Sequence, residues 1–402
     1  MEAVIVATAR TPIGRANKGS LVDCRPDDLS AIVIKALLEK VPALDPALVE
    51  DVIWGNAQPA GAAGYNLARV VAILSGLEGA PGVTVNRYCS SSLQTIRMAT
   101  HAIRAGEGDV FVAGGCETVS QFKLGMSDGG PGTHNPLFEH AEARSSERNS
   151  GGAPSWSPFA GLPDVYISMG QTAENVAQYA NVSREDQDEF AALSQQRAVE
   201  SQHNGFFERE ITPVTLADGT VVNKDDGPRE GTTVEKLSQL NPVFRPDGTV
   251  TAGNACPLND GAAAVVVMSE AKADELGIQP LARVVASGVS ALDPEIMGLG
   301  PIEAIKQALG RAQLSVDDID LFEINEAFAA QVVPSARDLG IPYEKLNVHG
   351  GAIALGHPFG MTGARIMTTL LNGLEDGDGR YGVESMCVGG GQGMAMVVER
   401  LS

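Results

Sequence analysis

Hydrophobic residues along the first 120 positions switch repeatedly between a strand-like and a helix-like spacing. Residues 3–8 form a short apolar run that is typical of a buried strand. Over residues 27–40 the apolar side chains recur every three or four positions, which predicts a helix that ends before Pro42. The same criteria predict strands at 51–55, 81–85 and 109–113 and a helix at 66–74. This alternation predicts an α/β domain.

The stretch at residues 86–94, Asn-Arg-Tyr-Cys-Ser-Ser-Ser-Leu-Gln, lies between a predicted strand and a predicted helix. The helix ends at Gly106, and its apolar stripe consists of Leu93, Ile96, Ala99 and Ile103. Cys89 is therefore placed at the helix N-terminus, where free N–H groups and the helix dipole favour a negative charge. We predict that this position lowers the pKa of the Cys89 thiol and makes it a nucleophile. The alternative is a buried structural cysteine.

The composition of the chain changes after residue 120. Residues 126–163 are rich in Gly, Pro, Ser and Asn and show no hydrophobic period, which predicts long surface loops. One helix is predicted from a cap at Ser183 to about His203, and residues 217–220 have the composition of a hairpin turn. We therefore predict that residues 121–256 form an inserted loop domain that covers a binding site.

Regular α/β patterning returns after this insertion. The predicted strands lie at 261–268, 281–288, 319–324, 381–388 and 394–401, and the predicted helices lie at 301–312 and after residue 360. Residues 325–328 are predicted to open a further helix, which Pro334 should kink. Glycines at 389–391 and 393 form the turn that joins the last two strands into a hairpin.

The two ends of the chain share one arrangement. Each places a reactive residue, Cys89 or His357, before a helix, and each continues into a strand that is closed by glycines. We interpret this similarity between the two ends as evidence of a duplicated α/β unit. The predicted boundaries are 1–120 for the first half, completed by 257–279, and 280–402 for the second half.

Composition and charge narrow the range of partners. A chain of 402 residues is long enough for two or more domains. Its formal net charge of −21 argues against nucleic acid and anionic membranes as partners, although a local arginine at a helix end can still hold a phosphate. No apolar run is long enough for a bilayer span, and no signal peptide is recognised at the N-terminus.

The five cysteines show no paired spacing that would indicate a disulfide framework or a zinc site. They are Cys24, Cys89, Cys116, Cys256 and Cys387. We expect no metal site and a location in the reducing cytoplasm.

Four segments carry candidate chemistry, and each lies at a strand end or a helix start, where open α/β sheets bind ligands. They contain Cys89, Asn325, His357 and Cys387. His357 is suited to take the proton of Cys89, and a second thiol, with an ordinary pKa of ~8.5, is a suitable acid or base for a carbon acid. The glycines after Cys387 let backbone N–H groups reach an oxyanion. Alternatively, His357 is a packed helix-start residue, Cys387 a core residue and Asn325 an N-cap.

Together these segments resemble the signatures of the thiolase family in order and spacing. The matching stretches are Asn-Arg-Tyr-Cys-Ser-Ser-Ser-Leu-Gln, Asn-Glu-Ala-Phe-Ala, Gly-Gly-Ala-Ile-Ala-Leu-Gly-His-Pro and Cys-Val-Gly-Gly-Gly-Gln-Gly. The resemblance covers essentially the whole chain. It implies a thiolase-like fold of two similar α/β halves in a five-layered αβαβα arrangement with an inserted loop domain, assembled as a homodimer or homotetramer.

The resemblance also implies a role for each candidate residue. Cys89 would accept the acyl group, His357 would activate it, and Cys387 would move a proton to and from the acetyl carbon. Asn325 would hold a water that forms one oxyanion hole with His357, and the N–H groups of Cys89 and Gly389 would form the other. Six residues match positions near coenzyme A or the acyl chain, namely Met169, Arg229, Phe244, Ala252, Ala327 and Phe328. Arg229 is the expected partner of the anionic end of coenzyme A.

Four positions depart from the family pattern. Ser92 stands where Gly is usual, His349 where Asn is usual, and Cys256 where Ser is common. Ser168 stands where biosynthetic acetoacetyl-CoA thiolases commonly have His, which favours a degradative enzyme. No catalytic role is expected for His349.

The implied activity is reversible thiolytic cleavage of a 3-ketoacyl-CoA to acetyl-CoA and a shortened acyl-CoA, through an acyl-Cys intermediate, in fatty-acid β-oxidation. Coenzyme A is a substrate in this reaction, and no other cofactor is expected. The alternatives are a biosynthetic acetoacetyl-CoA thiolase, a ketoacyl synthase, and a carrier that binds acyl-CoA or lipid without turnover. The segment at Cys387 argues against the synthase, and the complete Cys–His–Cys set argues against the carrier.

Overall fold

All 402 residues are described by the computed structural model, in which none of the helices is both long and apolar enough to cross a membrane. The strands are β1 (Ala3–Arg10), β2 (Gly14–Arg15), β3 (Asp51–Gly55), β4 (Gly82–Val85), β5 (Val110–Thr118), β6 (Val214–Thr215), β7 (Val221–Val222), β8 (Asn259–Ser269), β9 (Ala282–Ala291), β10 (Leu321–Ile324), β11 (Tyr381–Val388) and β12 (Gln392–Arg400). The α-helices are α1 (Pro26–Glu39), α2 (Leu67–Leu74), α3 (Ser91–Ala105), α4 (Glu139–Asn149), α5 (Met169–Tyr179), α6 (Arg184–His203), α7 (Val234–Leu237), α8 (Glu270–Leu276), α9 (Gly300–Ala312), α10 (Ala329–Leu339), α11 (Ala352–Leu355) and α12 (Thr362–Asp376).

Ten strands pair into one mixed sheet in the order β10-β11-β12-β9-β1-β8-β5-β3-β4, with the short β2 beside β8. The sheet has two parts that meet at β1 and β9. These two strands share only two residue pairs, Val4 with Arg283 and Ile5 with Ala282. The remaining strands, β6 and β7, form the hairpin predicted around residues 217–220.

Helices separate and cover the two parts of the sheet. On the outer face of the part that runs from β1 to β4 lie α1 and α2, whereas α9 and α10 cover the outer face of the other part. The helices α3 and α12 lie side by side between the two parts. This α-β-α-β-α order is the five-layered arrangement that the family resemblance implies. The exact limits of the halves and of the loop domain stay predictions.

The strand β8 shows how a continuous apolar run becomes a strand that is buried on both faces. All eleven of its residues are buried. Val266 and Met268 face the outer core beside α1, whereas Val265 and Val267 face the central core beside α3 and α12. Each buried Val or Met side chain stabilises the fold by about 1.5–3 kcal/mol. A strand that is apolar on both faces gains this stabilisation in full only when a helical layer covers each face.

The prediction that residues 126–163 are all loop is wrong at α4. This helix buries only Ala141 and Ser145, so its sequence has no apolar stripe at helical spacing. Contacts outside the helix stabilise it instead. Arg144 forms an ion pair with the buried carboxylate of Glu295, and its guanidinium lies 3.4 Å from the centre of the Phe159 ring.

The prediction that residues 325–328 open a helix is also wrong, because α10 begins at Ala329. Phe328 is extended, with φ −150° and ψ 144°, and it forms a β-bridge with Ala255. One residue earlier, the carbonyl of Ala327 accepts the N–H of Cys256 at 3.0 Å. Pairing with the loop domain therefore keeps this segment extended. The helix then continues through Pro334 as one element.

Candidate active site

Cys89 lies where the sequence places it, between a strand and a helix. After β4 the chain makes one 3-10 turn over Tyr88–Ser90 and enters α3. Tyr88 has φ +42°, a conformation that few side chains other than glycine adopt. The turn is fixed by local hydrogen bonds, in which Asn86 Oδ1 accepts the Tyr88 N–H at 2.8 Å and the Ser91 hydroxyl accepts the Arg87 N–H at 2.9 Å. Polar residues on both sides of Cys89 thus set the position of its thiol.

The expected lowering of the Cys89 pKa is not found. Burial raises the pKa of Cys89 to about 12, while the N–H groups of Gly389 and of Cys89 itself act in the opposite direction. The cost of placing a thiolate away from water is therefore larger than the effect of these donors. In the free enzyme Cys89 is a neutral thiol, and it needs a base before it can attack.

His357 is in the protonation state that a base requires. Burial and, to a smaller extent, the charge of Arg365 lower the pKa of His357 to about 3, so the imidazole is neutral. Its Nδ1 lies 2.6 Å from the Thr362 hydroxyl, which donates its only hydrogen to the Pro358 carbonyl at 2.8 Å. The hydroxyl must then accept the Nδ1–H, which leaves Nε2 unprotonated.

Replacing Thr362 with valine should lower the kcat of the enzyme about tenfold to a hundredfold with little change in KM. The variant keeps the shape of the side chain but removes the acceptor that fixes the imidazole tautomer. Thr362→Ser keeps the hydroxyl and should restore the parent kcat, a rescue that a purely structural role of the methyl group would not give. Steady-state kinetics of both variants test this. Parent-like turnover by Thr362→Val would show that the hydroxyl does not position the base.

Asn325 lies beside the catalytic nitrogen of His357. Its Nδ2 is 3.4 Å from His357 Nε2, which suits an amide donor facing an imidazole lone pair. The other side-chain atom, Oδ1, is buried and has no hydrogen-bond partner. Buried polar atoms are normally paired, so this acceptor is available to a bound group. The role in an oxyanion hole stays a prediction.

Cys387 lies on β11, buried and close to the thiols of Cys89 and Cys256. Its thiol donates to Gln331 Oε1 at 3.2 Å, and Gln331 Nε2 donates to the Asn325 carbonyl at 3.3 Å. Burial raises the pKa of Cys387, and the nearby thiols of Cys89 and Cys256 raise it further. Gln331 is a site residue that the sequence analysis missed. A buried polar residue within a helix gives no signal in a single sequence.

The turn between β11 and β12 places a backbone donor at the nucleophile. Gly390 and Gly391 both have φ +79°, a conformation that requires glycine, and a Cβ on Gly391 would lie 2.3 Å from the Leu292 carbonyl. This turn aims the N–H of Gly389 at the Cys89 sulfur. Two N–H groups therefore converge there, as an oxyanion hole requires.

Two cavities adjoin these groups, and they differ in their lining. The first, of about 470 Å³, contains the predicted residues Arg229, Phe244 and Ala252 together with Cys256 and Arg15. We call it the arginine cavity. Burial lowers the pKa of Arg229, and the nearby charge of Arg15 also lowers it. Two guanidinium groups therefore lie close together in this cavity. Arg15 was missed because nothing in the sequence connects β2 with a residue in the loop domain.

The second cavity, of about 540 Å³, reaches the nucleophile and is called here the acyl cavity. Its lining includes Cys89, Tyr88, Gly389 and the predicted residue Met169. The other predicted contacts, Ala327 and Phe328, lie in an adjoining apolar cluster of nine buried residues that also includes Cys387. Phe244 and Met169 pack against this cluster. The rings of Phe244 and Phe328 meet edge to face at 6.0 Å.

The departures from the family pattern have separate explanations. The Ser92 hydroxyl accepts the Ala364 N–H at 2.9 Å, so it satisfies a free donor in the first turn of α12. His349 stacks on Phe206 at 3.5 Å, and its role is in packing. Cys256 replaces serine in the lining of the arginine cavity. Ser168 is exposed and gives no support to either substrate class.

A buried carboxylate, also absent from the sequence predictions, connects the loops around the site. Glu117 accepts N–H groups from Ala57 at 2.9 Å, Gln58 at 3.2 Å and Gly360 at 2.9 Å. Burial raises the pKa of Glu117 to about 7 against the opposite effect of these donors. Because Gly360 follows His357 by three residues, this carboxylate helps to fix the loop that holds the base.

Two family models together match almost the whole chain. One, described as "Thiolase, N-terminal domain", matches residues 3–271, and the other, described as "Thiolase, C-terminal domain", matches residues 278–400. The chain belongs to the thiolase family. The resemblance found in the sequence is thereby confirmed, and this thiolase is an acyltransferase.

Individual relatives cover this thiolase from end to end. A 3-ketoacyl-CoA thiolase of Bacillus subtilis (strain 168) is 44% identical over 411 residues, with 99% of each chain covered. A β-ketoadipyl-CoA thiolase of Acinetobacter baylyi is 44% identical over 408 residues, again with 99% of each covered. The crystal structure of the dimeric peroxisomal thiolase of Saccharomyces cerevisiae matches with a TM-score of 0.88 and 38% identity, over 100% of this chain and 97% of that one. These matches confirm the thiolase fold, while the relatives' names cover more than one substrate.

Proposed function

We propose that this thiolase catalyses reversible thiolysis of 3-ketoacyl-CoAs to acetyl-CoA and a shortened acyl-CoA. The observation that carries the proposal is the convergence of Cys89, His357 and Cys387. The buried thiols of Cys89 and Cys387 lie near each other, and hydrogen bonds through Gln331 and Asn325 connect Cys387 with His357. The imidazole is neutral with an unprotonated Nε2, and the backbone donors of Cys89 and Gly389 meet at the nucleophile. Binding alone needs neither a base nor a second thiol.

In the first half-reaction, His357 Nε2 takes the proton of Cys89 as the sulfur attacks the 3-keto carbon. The negative charge that develops on the keto oxygen is stabilised by the two N–H groups. The bond between C2 and C3 then breaks, and its electron pair forms the enolate of acetyl-CoA. The Cys387 thiol protonates this carbanion, acetyl-CoA departs, and the shortened acyl group remains on Cys89.

The second half-reaction returns both protons. The thiol of incoming coenzyme A gives its proton to the Cys387 thiolate as its sulfur attacks the acyl-Cys89 thioester. Cys89 leaves as a thiolate and recovers its proton from the His357 imidazolium. The enzyme is then in its starting state, and every step is reversible, so the same groups support condensation.

The arginine cavity supports binding of the phosphates of coenzyme A. Arg15 and Arg229 are the charged groups in its lining, and guanidinium groups suit phosphate oxygens. The chain as a whole is strongly acidic, so two neighbouring arginines at one cavity are a local exception. We infer that they hold the anionic end of coenzyme A.

The acyl cavity favours degradation over biosynthesis. At about 540 Å³ it is far larger than the single methyl group that acetoacetyl-CoA presents beyond its keto carbon. We infer acyl groups longer than that of acetoacetyl-CoA, as in fatty-acid β-oxidation. All five cysteines are free thiols, which supports the expected cytoplasmic location.

A homodimer is proposed on the exposed edge of the sheet. The strand β4 ends the sheet and has no neighbour on its outer side, and Val83 in this strand is exposed together with Ile73 and Leu74 of α2. An apolar edge strand with unpaired N–H and C=O groups is suited to pair with a second copy. A tetramer stays a prediction.

Release of acetyl-CoA from 3-ketoacyl-CoAs of four to twelve carbons, in the presence of coenzyme A, tests the proposed function. We expect turnover of the six-carbon substrate and of longer ones, because the acyl cavity has room for their chains. A matched reaction without coenzyme A should release no more than one equivalent of acetyl-CoA per active site. Activity on acetoacetyl-CoA alone would contradict the degradative assignment, and release from none of them would contradict thiolysis.

A further inference from the structure

Part of the wall of the acyl cavity is polar, and most of these polar side chains come from the loop domain. Besides the groups at Cys89, this cavity is lined by Gln58, Asp128, His134 and Tyr166. An acyl group that extends from Cys89 into this cavity therefore meets polar side chains as well as apolar ones. A cavity built only for an unsubstituted fatty acyl chain would be lined mainly by apolar groups.

Asp128 is held in place with one oxygen available. Gln58 Nε2 donates to Asp128 Oδ2, while Gln58 Oε1 accepts the backbone N–H and the hydroxyl of Ser127, each at 2.9 Å. No protein group donates to Asp128 Oδ1. The carboxylate also lies near Tyr88, the residue before the nucleophile, and its charge adds to burial in raising the pKa of that phenol. Asp128 therefore presents a hydrogen-bond acceptor in the space that the acyl group occupies.

Asp128 is the only carboxylate in the lining of this cavity. Its lining contains no Lys or Arg, and the carboxylate of Glu142 lies 2.9 Å from the ring nitrogen of His134, on the same side of the molecule. Arg144 of the loop domain is already paired with Glu295. The guanidinium groups of Arg15 and Arg229 belong to the other cavity. The two cavities thus differ in charge, basic for coenzyme A and acidic for the acyl group.

Resting on the proposed thiolase function, we propose that this enzyme selects 3-ketoacyl-CoAs whose acyl group is uncharged and carries a hydroxyl, and that it rejects acyl groups that end in a carboxylate. A hydroxyl can donate to Asp128 Oδ1, whereas a second carboxylate would be repelled and would find no cation. This separates the chain from its β-ketoadipyl-CoA thiolase relative, whose named substrate ends in a carboxylate. The two enzymes are 44% identical, and under this proposal they differ in whether they accept an acyl group that ends in a carboxylate.

The test compares three 3-ketoacyl-CoAs of equal chain length that end in a methyl group, a hydroxyl or a carboxylate. In the parent enzyme, kcat/KM for the hydroxyl substrate should exceed that for the methyl substrate about fivefold and that for the carboxylate substrate at least about twentyfold. This comparison needs no variant. Equal or faster cleavage of the carboxylate substrate would overturn the proposed selectivity.

Two variants of Asp128 then test whether this residue causes the substrate preference. Asp128→Asn removes the charge and should reduce the preference for hydroxyl over carboxylate at least about tenfold, and Asp128→Ala should also remove the preference for hydroxyl over methyl. Asp218→Asn is the matched control, because it removes an exposed carboxylate from the turn between β6 and β7. Thermal unfolding confirms that each variant is folded.

The two levels of the proposal fail differently. If the parent cleaves all three substrates at the same rate, or if Asp128→Asn leaves the ratios within twofold, the selectivity is wrong and thiolysis stands. If the parent releases acetyl-CoA from none of the three and from no unsubstituted 3-ketoacyl-CoA, the proposed function itself is overturned, and the selectivity with it.

Discussion

Replacing Cys89 with alanine should reduce thiolysis of 3-ketoacyl-CoA by at least about ten thousandfold. The substrate then has no acyl acceptor, and the remaining groups can only bind it or polarise its keto group. The rate of acetyl-CoA release measures the loss, and the mass of the protein after mixing with acetyl-CoA should show no added acetyl group. The parent enzyme should gain one acetyl group on the peptide that contains Cys89.

Cys24→Ala is the matched control for this prediction. Cys24 is a partly buried thiol outside both cavities, so its loss should leave the rate within about twofold of the parent. Brief treatment with iodoacetamide should label Cys89 before the other cysteines and stop turnover. Normal activity of Cys89→Ala, or a first label on Cys256, would assign the nucleophile to another residue.

Replacing Cys387 with serine should separate the two half-reactions. Transfer of an acetyl group between coenzyme A and Cys89 requires only a base for a thiol, and His357 supplies it. Condensation also requires removal of a proton from the methyl group of acetyl-CoA, a very weak carbon acid that needs a positioned base. Serine keeps the size of the side chain but offers no accessible anion. The variant should therefore still become acetylated on Cys89, and its condensation rate should fall by about a hundredfold or more.

Exchange of the acetyl-CoA methyl protons with deuterated water gives an independent readout. The parent should exchange them, and Cys387→Ser should not, because the carbanion is never formed. Cys116→Ser, another buried thiol but on β5 away from the glycine turn, is the comparison that separates loss of chemistry from loss of packing. If Cys387→Ser condenses and exchanges like the parent, Cys387 is a core residue and the assigned mechanism is wrong.

The features of this site that can be predicted from sequence are those set by neighbours in the chain. The position of Cys89 follows from a short strand, a polar turn and an apolar stripe within about twenty residues, and the glycine turn after Cys387 is equally local. Thr362, Gln331 and Arg15 were missed because they act through contacts that only the folded chain creates. The pKa of Cys89 was predicted in the wrong direction for the same reason, since the helix end is visible in the sequence but the depth of burial is not.

The errors in predicting the fold from the sequence have the same origin. The helix α4 lacks an apolar stripe because its stabilising contacts, those of Arg144, are with other segments. Residues 325–328 have the composition of a helix start, yet pairing with residues 255–256 keeps them extended. In both cases long-range contacts override the local pattern.

The location of β8 affects how the protein can be made. This strand lies between β1 and β5 in the sheet, but in the sequence it follows the whole loop domain. Synthesis of β1 ends at residue 10, whereas its partner β8 begins only at residue 259. At 5–20 residues per second, a ribosome needs roughly 12–50 s to cover that distance. During that interval β1 and β5 have no partner between them, and their apolar edges are open to other nascent chains. The nucleophile is therefore translated early, but the half of the molecule that holds it can close only when about two thirds of the polypeptide has been synthesised.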